Sequence, residues 1–453
     1  MPSARAMVRE IVSTRRMHSE SPQHRTTRII LGSALIARLM VLCVVLTTHP
    51  RDWLYNRGIE MGLLANSLVH GLGYSSPFGG STGPTAFIAP GYPTLIAAIF
   101  LVVGSYTFAS AIAIMLLQVF VSVLTVWLMM RIARGTLDAA TANLAGAFWA
   151  ISFPLLFIPT IFWETSISAC IYPATFALAL HCRRSPTNAN WVLLGAFCAV
   201  AALINPALLP SLLAIMGWTA WQTSKLARTA PTGTAPARTA PIWTAPMLGL
   251  LALALVFCPW PIRNAYRFHA FVPMRTTVGF ELWMGNRPGA TGFLDESVFP
   301  MYDKQELASY ISKGEMAYTR DKSAQALEYI RAKPAVFLKL SLRRSFRFWT
   351  GTGNLNGSPI YAIHALLTTT LGFTGLVLLY RRRKRDLAAL FALPLLLFPL
   401  PYYITHAEFR YRLNIDPLMT ILAAYAVTQI AARIAAPADA AHEANAGPRV
   451  GPN

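Results

Sequence analysis

The sequence is poor in charged residues, and acidic residues are the scarcest of them. Only 13% of its 453 residues are charged, whereas 55% are hydrophobic. A soluble domain of this length cannot bury so much apolar surface, so the composition indicates a membrane protein. The 39 basic residues lie in short clusters between apolar runs, such as Arg183-Arg184. That pattern is typical of cytoplasmic loops, and without a nucleic-acid-binding module we expect no nucleic-acid partner.

The motifs of soluble enzymes are also missing from the sequence. It contains no P-loop and no HExxH or GxGxxG sequence, and its five cysteines show neither CxxC nor Cys/His metal spacing. We therefore expect no cofactor and no metal site built from cysteine. The apolar run near the N-terminus is too long for a signal-peptide core, so we interpret it as a retained first transmembrane helix.

The apolar runs predict an all-α polytopic membrane protein with about ten transmembrane helices. These runs cover residues 29–48, 108–130, 138–158, 162–182, 190–205, 206–222, 246–262, 360–380, 387–404 and 414–434. Residues 90–104 are apolar too, but the run is short, which favours a re-entrant or interfacial helix. Counting this run as a crossing would place the basic cluster Arg381–Arg385 outside the cell, against the positive-inside rule.

The resulting topology divides the chain into segments on the two sides of the membrane. A cytoplasmic segment 1–28 precedes a membrane module 29–222, whose first outer loop is 49–107. A Thr-Ala-Pro repeat forms an extended cytoplasmic linker at 223–245, because proline at that density excludes helix. The helix 246–262 leads to a small outer segment 263–359, helical over 303–330. The helices of 360–434 and a disordered tail 435–453 complete the chain.

Most of the 19 acidic residues face outward in this topology, and two of them lie beside apolar sequence. Glu60 lies on a surface helix predicted for 57–70, where partial desolvation would raise its pKa toward that of a general base. An ion pair with Arg57 is the alternative. Glu164 precedes an outer helix start, where an acid favours the helix dipole, but acids within membrane sequence are also often functional.

Several arginines are candidates for binding an anionic group. Arg38 lies within the first helix, where it faces either a structural polar partner or a ligand. Arg263, Arg410 and Arg412 lie at the outer ends of later helices. A guanidinium matches phosphate oxygens bidentately, although arginines at this depth also contact lipid headgroups without any further role.

In order along the chain, these segments resemble the GT-C membrane glycosyltransferases, and specifically the glycosyltransferase family 39 group of protein mannosyltransferases and lipid A aminoarabinose transferases. The resemblance covers about residues 29–430. Its motifs are the run from Ala65 to Phe78, the run from Pro84 to Pro93, Trp163-Glu-Thr-Ser, Pro261-Ile-Arg-Asn, the run from Gly285 to Gly292, Gly314-Glu-Met-Ala-Tyr and Arg410-Tyr-Arg.

The resemblance implies a GT-C-like bundle that transfers sugar from a polyprenyl-phosphate donor to a lipid, glycan or protein acceptor at the outer face of the cytoplasmic membrane. Glu60 stands where the family has a catalytic acid, usually Asp, and Glu164 matches an acid in the second outer loop. Arg263, Arg410 and Arg412 are the positions matched to donor-phosphate binding. The absence of a paired acid beside Glu60 disfavours a metal-dependent reaction.

Two other functional classes remain open at this point. One is a transporter or flippase of lipid-linked intermediates, although no repeated half of the kind common in transporters is visible. The other is a catalytically degenerate membrane scaffold, which the Glu in place of Asp keeps open.

Overall fold

The computed structural model describes residues 22–56, 58–229, 243–352 and 359–445, and the chain there is mostly helical. The α-helices in chain order are α1 Pro22–Thr48, α2 Arg51–Asn56, α3 Ile59–Val69, α4 Gly91–Val103, α5 Phe108–Thr136, α6 Ala139–Ile151, α7 Phe153–Phe157, α8 Thr165–Arg184, α9 Asn188–Ile204, α10 Leu209–Thr229, α11 Thr244–Phe257, α12 Pro259–Phe268, α13 Val278–Asn286, α14 Lys304–Lys313, α15 Glu315–Ala332, α16 Pro334–Thr350, α17 Pro359–Arg381, α18 Arg385–Leu397, α19 Leu400–Ile404, α20 Phe409–Arg412 and α21 Asp416–Asn445. Short 3-10 helices occupy Ile158–Thr160, Pro206–Leu208 and Glu296–Val298.

Within the described ranges, seven helical stretches are long and apolar enough to cross a membrane. The helices α6 and α7, which are bent by 62° with Ser152 between them, belong to an eighth if the pair is one span. The chain is therefore an all-α, multi-pass membrane protein. Two of the ten predicted crossings fall short: α9 has only 17 residues, and α10 carries polar side chains such as Thr219 and Gln222, which are buried inside the protein.

The apolar run at 90–104 forms the single short helix α4. Its 13 residues span about 20 Å at 1.5 Å per residue, less than the hydrocarbon core of a bilayer. Its first residue, Gly91, packs against α9, where an added Cβ would lie 2.9 Å from the Leu203 carbonyl oxygen. Leu101 and Val102 near its far end are exposed. This geometry agrees with a re-entrant or interfacial helix.

Four basic loops meet at one end of the bundle, which we call the basic end. Arg184 Nη2 donates to the carbonyl of Gly135 at 3.5 Å, and Lys384 Nζ donates to the carbonyl of Thr136 at 3.2 Å. Lys225 lies 3.6 Å from Asp386. The loops that the positive-inside rule assigned to the cytoplasm are thus neighbours in space.

The opposite end of the bundle carries both predicted outer segments, and a buried carboxylate joins them. Glu315 accepts hydrogen bonds from the Ala86 N–H at 2.7 Å, Thr276 Oγ1 at 2.7 Å and Tyr310 Oη at 2.6 Å, and also from Thr85. The predicted helix 303–330 is present but is broken into α14 and α15. Gly314, with φ +73°, lies between them.

Other predictions are resolved or corrected by the structure. Arg38 is fully buried and has structural polar partners rather than a ligand, because it donates to Ser122 at 2.7 Å and to carbonyls of Ala34, Trp149 and Ala150.

The tail predicted as disordered from 435 continues as helix to Asn445, since alanine favours helix. The linker predicted at 223–245 is shorter than expected, because α10 extends to Thr229 and α11 begins at Thr244. Residues 230–242 of this linker and residues 1–21 of the N-terminal segment lie outside the described ranges.

Candidate active site

A cavity of about 730 Å³ opens among the outer segments and the adjoining helix ends. Aromatic and aliphatic side chains form much of its wall, including Phe87, Tyr92 and Tyr402. Its charged side chains come from four separate parts of the chain. They are Glu60, Glu164, Arg275, Glu281, Glu296, Glu408 and Arg410.

Glu60 reaches the cavity from the first turn of α3, and a glycine sets the position of that turn. Gly58 precedes α3 with φ +85°, and a Cβ added there would lie 2.0 Å from the carbonyl oxygen of Phe162. Only glycine therefore lets α3 approach the segment that carries Glu164 so closely. The alternative ion pair involves Arg57, which lies outside the described residues.

Burial raises the pKa of Glu60 above its ordinary value. The positive charge of Arg410 opposes this shift, while Glu296 and Glu164 add to it by like-charge repulsion. A carboxyl group with a raised pKa is a stronger base once ionised, so the environment moves Glu60 toward the range useful for proton transfer near neutral pH.

Glu164 faces the same cavity from the residue before α8. Gln118 of α5 fixes the preceding segment, because its Nε2 donates to the carbonyls of Pro159 at 3.2 Å and Ile161 at 2.9 Å. The carboxylate makes no side-chain capping bond to α8. Its Oε2 is shielded from water and has no hydrogen-bond partner among the described residues.

Arg410 lies between an acid and an aromatic ring. Its Nε donates to Glu408 Oε2 at 2.5 Å, and its guanidinium lies 4.1 Å from the centre of the Trp163 ring. Burial lowers the pKa of Arg410, but the combined attraction of Glu408, Tyr411 and Glu164 outweighs burial and raises the pKa overall. Arg410 is thus a permanent cation held beside Glu164, and Trp163 is its aromatic partner.

The other two predicted phosphate-binding arginines do not line the cavity. Arg263 donates to the backbone carbonyls of Thr85 at 2.6 Å and Tyr74 at 2.8 Å, and so braces the first outer loop. Arg412 is fully buried and pairs with Asp416. Both guanidiniums are engaged in holding the fold.

Further charged residues of the cavity escaped the sequence analysis. Arg275 and Glu281 form an ion pair at 3.0 Å, and Glu296 lies on an exposed 3-10 helix at the rim. These three residues occur in a polar segment where most charges are ordinary surface charge, so no local pattern distinguishes them. They are distinguished only by the contact of this segment with the first outer loop, which places them at the cavity.

His406 is another residue that sequence reasoning did not single out as a site residue. It is buried, and its Nε2 lies 2.8 Å from the hydroxyl of Tyr411. Burial, together with the cations Arg410, Arg344 and Arg275, lowers its pKa to about 3. The imidazole is therefore neutral at physiological pH.

Several buried polar atoms on cavity-lining residues have no protein partner. Besides Glu164 Oε2, they are Tyr92 Oη, Thr277 Oγ1 and His406 Nδ1, each shielded from water and without a hydrogen bond among the described residues. An unsatisfied buried polar atom costs about 1–3 kcal/mol. A polar ligand that reached these atoms would recover part of that cost. Within the same ranges, no three His, Cys, Asp or Glu side chains are grouped so that they could hold a metal ion.

The chain is similar to several solved structures, one of which is an oligosaccharyltransferase. The archaeal oligosaccharyltransferase AglB from Archaeoglobus fulgidus, solved in complex with an inhibitory peptide and a dolichol-phosphate, is 14% identical with a TM-score of 0.45. The similarity covers 94% of this chain and 52% of AglB, so the chain spans about half the length of that protein. No family model and no curated protein matches the sequence.

Proposed function

We propose that this protein is a membrane glycosyltransferase that moves a sugar from a polyprenyl-phosphate donor to a hydroxyl acceptor at the outer face of the cytoplasmic membrane. The observation that carries the proposal is the convergence of Glu60, Glu164 and Arg410 on one cavity. These residues come from three distant parts of the chain, and the sequence had singled out each of them. A candidate base, a fixed cation and unsatisfied polar atoms suit a sugar phosphate.

In the proposed reaction, the acceptor oxygen attacks C1 of the donor sugar from the face opposite the phosphate. The bond between C1 and the phosphate oxygen breaks, and both of its electrons leave with the polyprenyl phosphate. Glu60 accepts the proton of the acceptor hydroxyl as the new C–O bond forms. The configuration at C1 is inverted.

Arg410 stabilises the charge that develops on the leaving phosphate. Its pairing with Glu408 and Trp163 restricts the guanidinium to one position, so little reorganisation is needed during the reaction. Glu164 lies beside this cation and orients sugar hydroxyls, because its unpaired oxygen accepts hydrogen bonds. Arg275 is a second cation at the cavity, although its ion pair with Glu281 partly neutralises its charge.

The test uses purified full-length protein in lipid nanodiscs with a panel of labelled polyprenyl-phosphate sugars. Glu60→Gln keeps the size and polarity of the side chain but removes its basicity, and we expect transfer to fall by about 10²–10⁴-fold. Glu328→Gln is the matched control, because Glu328 is exposed on α15 and does not line the cavity. Transfer by Glu60→Gln at the wild-type rate would refute the base assignment. Movement of intact donor across vesicles without transfer would indicate a flippase instead.

A further inference from the structure

The cavity contains more negative than positive side chains. Of its five carboxylates, Glu281 is paired with Arg275 and Glu408 with Arg410. The remaining three, Glu60, Glu164 and Glu296, have no ion-pair partner within 4.0 Å among the described residues. Each cation of the cavity thus pairs with one acid, whereas the other three acids form no ion pair within the described ranges, so a group that enters between these three acids meets a negative potential.

The three unpaired acids differ in their exposure. Glu296 is exposed, whereas Glu60 and Glu164 are half-buried, and the cavity-lining residue Tyr302 is 56% exposed. Burial raises the pKa of Tyr302, and the charges of Glu60 and Glu296 raise it further, so the phenol lies within the field of both acids. Glu60, Glu296 and Tyr302 thus form one acidic and aromatic part of the cavity wall. Aromatic faces and carboxylates together favour organic cations.

Unsatisfied polar atoms are a second, independent feature that suits this cavity to a polar ligand. The side chains of Tyr92 and Thr277 are 2% and 1% exposed, line the cavity, and have no hydrogen-bond partner for their hydroxyls among the described residues. The acids are therefore part of a built pocket, and Glu296 is its outermost member.

We propose that the acceptor carries a positively charged group, an ammonium or guanidinium, close to the hydroxyl that receives the sugar. The inference rests on the proposed function, because it takes Glu60 as the residue that contacts the acceptor hydroxyl. Glu296 and Tyr302 line the same cavity as Glu60, and Tyr302 lies within the field of both acids, so we assign the cation to the acceptor. Arg410 beside Glu164 takes the donor phosphate.

The position of the cation has a chemical consequence for the base. Glu60 faces Glu296, Glu164, Tyr302 and the cation Arg410, and the acids favour its protonated form. A cationic acceptor between these groups offsets the repulsion and favours the carboxylate, which is the form that accepts a proton. Binding of the correct acceptor thereby helps to activate the base.

The test compares three small alcohols as acceptors for the full-length protein in nanodiscs with a labelled polyprenyl-phosphate sugar. Ethanolamine is cationic, n-propanol is its neutral isostere and glycolate is anionic. We expect ethanolamine to be preferred over n-propanol by about tenfold, with glycolate the poorest acceptor. In Glu296→Gln the ratio of ethanolamine to n-propanol transfer falls by about fivefold, the upper range for an exposed charge pair. Glu328→Gln, which removes the same charge from an exposed position outside the cavity, keeps the wild-type ratio.

Two further measurements separate the outcomes. Donors carrying glucosamine or glucose are compared with each alcohol: a preference confined to the glucosamine donor would place the cation on the sugar and overturn the inference. Binding of labelled choline and of its neutral analogue 3,3-dimethyl-1-butanol is measured without donor. Choline binding that is weakened by Glu296→Gln supports the cation site even if no transfer occurs, in which case only the proposed function fails. Equal binding of the two probes, or equal use of ethanolamine and n-propanol, would overturn the inference.

Discussion

Replacing Gly58 with alanine should damage the proposed active site more than it damages the fold. The added Cβ would lie 2.0 Å from the carbonyl oxygen of Phe162 and 3.2 Å from Trp163 Cδ1. Contacts below 3.0 Å are essentially never observed for a real Cβ atom, so backbone must move by about 1 Å. Glu60 is two residues from one side of this contact and Glu164 is two residues from the other. Relative displacement of the two acids is the direct result.

The effect of Gly58→Ala has two components, a loss of stability and a loss of transfer rate. An alanine in the left-handed region costs roughly 1–2 kcal/mol, and a 1 Å misplacement of catalytic groups can lower the rate by about 10²-fold. Gly71→Ala is the matched control, because Gly71 has φ +73° but no atom within 4 Å of the added Cβ. Thermal unfolding in detergent measures the first component and sugar transfer in nanodiscs measures the second.

We expect Gly71→Ala to lose stability but little activity, and Gly58→Ala to lose about 10²-fold in activity as well. The contact between α3 and the Glu164 segment would not position the acids if both variants transferred sugar at similar rates. If Gly58→Ala folds poorly, unfolding and transfer are measured on its folded fraction, isolated by size-exclusion chromatography.

Further predictions concern the titration of Glu60 and the buried arginines Arg38 and Arg412. Because the pKa of Glu60 is raised above its ordinary value of 4.5, its carboxylate forms at a higher pH than that of a free glutamate. The rate of transfer should therefore increase as the pH rises through the raised pKa of Glu60, and Glu60→Gln should remove this limb of the pH–rate profile. The same shift has the opposite effect on stability, since a carboxyl with a raised folded pKa stabilises the fold when protonated and this stabilisation is lost as the pH rises toward the folded pKa. Arg38→Met leaves buried acceptors without a donor and should lower the unfolding free energy by about 1–3 kcal/mol, measured by thermal unfolding. Arg412→Met should cost about 3–5 kcal/mol, because it removes one of the two partners of the buried Asp416 and leaves His364 as the other. Asp416→Leu in the same chain should restore part of this loss, and an Arg412→Met protein of wild-type stability would contradict the structural role.

The fold class was predictable because the length and hydropathy of each segment depend on local sequence. The helices α1, α5 and α17 coincide with predicted crossings for that reason. The short run at α4 was also assigned by length alone. The failures occur where a helix is polar on a face buried by protein, as in α10, or where alanine extends a helix beyond its apolar part, as in α21. Hydropathy does not distinguish polar side chains that face protein from those that face water.

The candidate site was predictable only in part, because its wall is assembled by long-range contacts. Glu60 and Glu164 stood out as isolated acids in apolar sequence. Glu296 and Glu281 did not, since their segment is rich in charge. The bond network of Glu315 brings that segment onto the first outer loop, across more than two hundred residues of chain. No periodicity in the sequence reports such a contact, so only the structure could add these residues to the cavity.

The different positions of Arg410 and Arg412 show why neighbouring residues of one motif cannot be assigned the same role. Both lie in the single helical turn α20, two positions apart. At 3.6 residues per turn, two positions correspond to about 200°, so the side chains leave opposite sides of the turn. Arg410 therefore meets Trp163 and the cavity, whereas Arg412 turns toward α17 and donates to Thr368 at 2.7 Å and Thr369 at 2.9 Å. The Arg-Tyr-Arg turn thus directs Arg410 to the cavity and Arg412 to the fold. We expect substitution of Arg410 to lower the proposed transfer activity and substitution of Arg412 to lower stability.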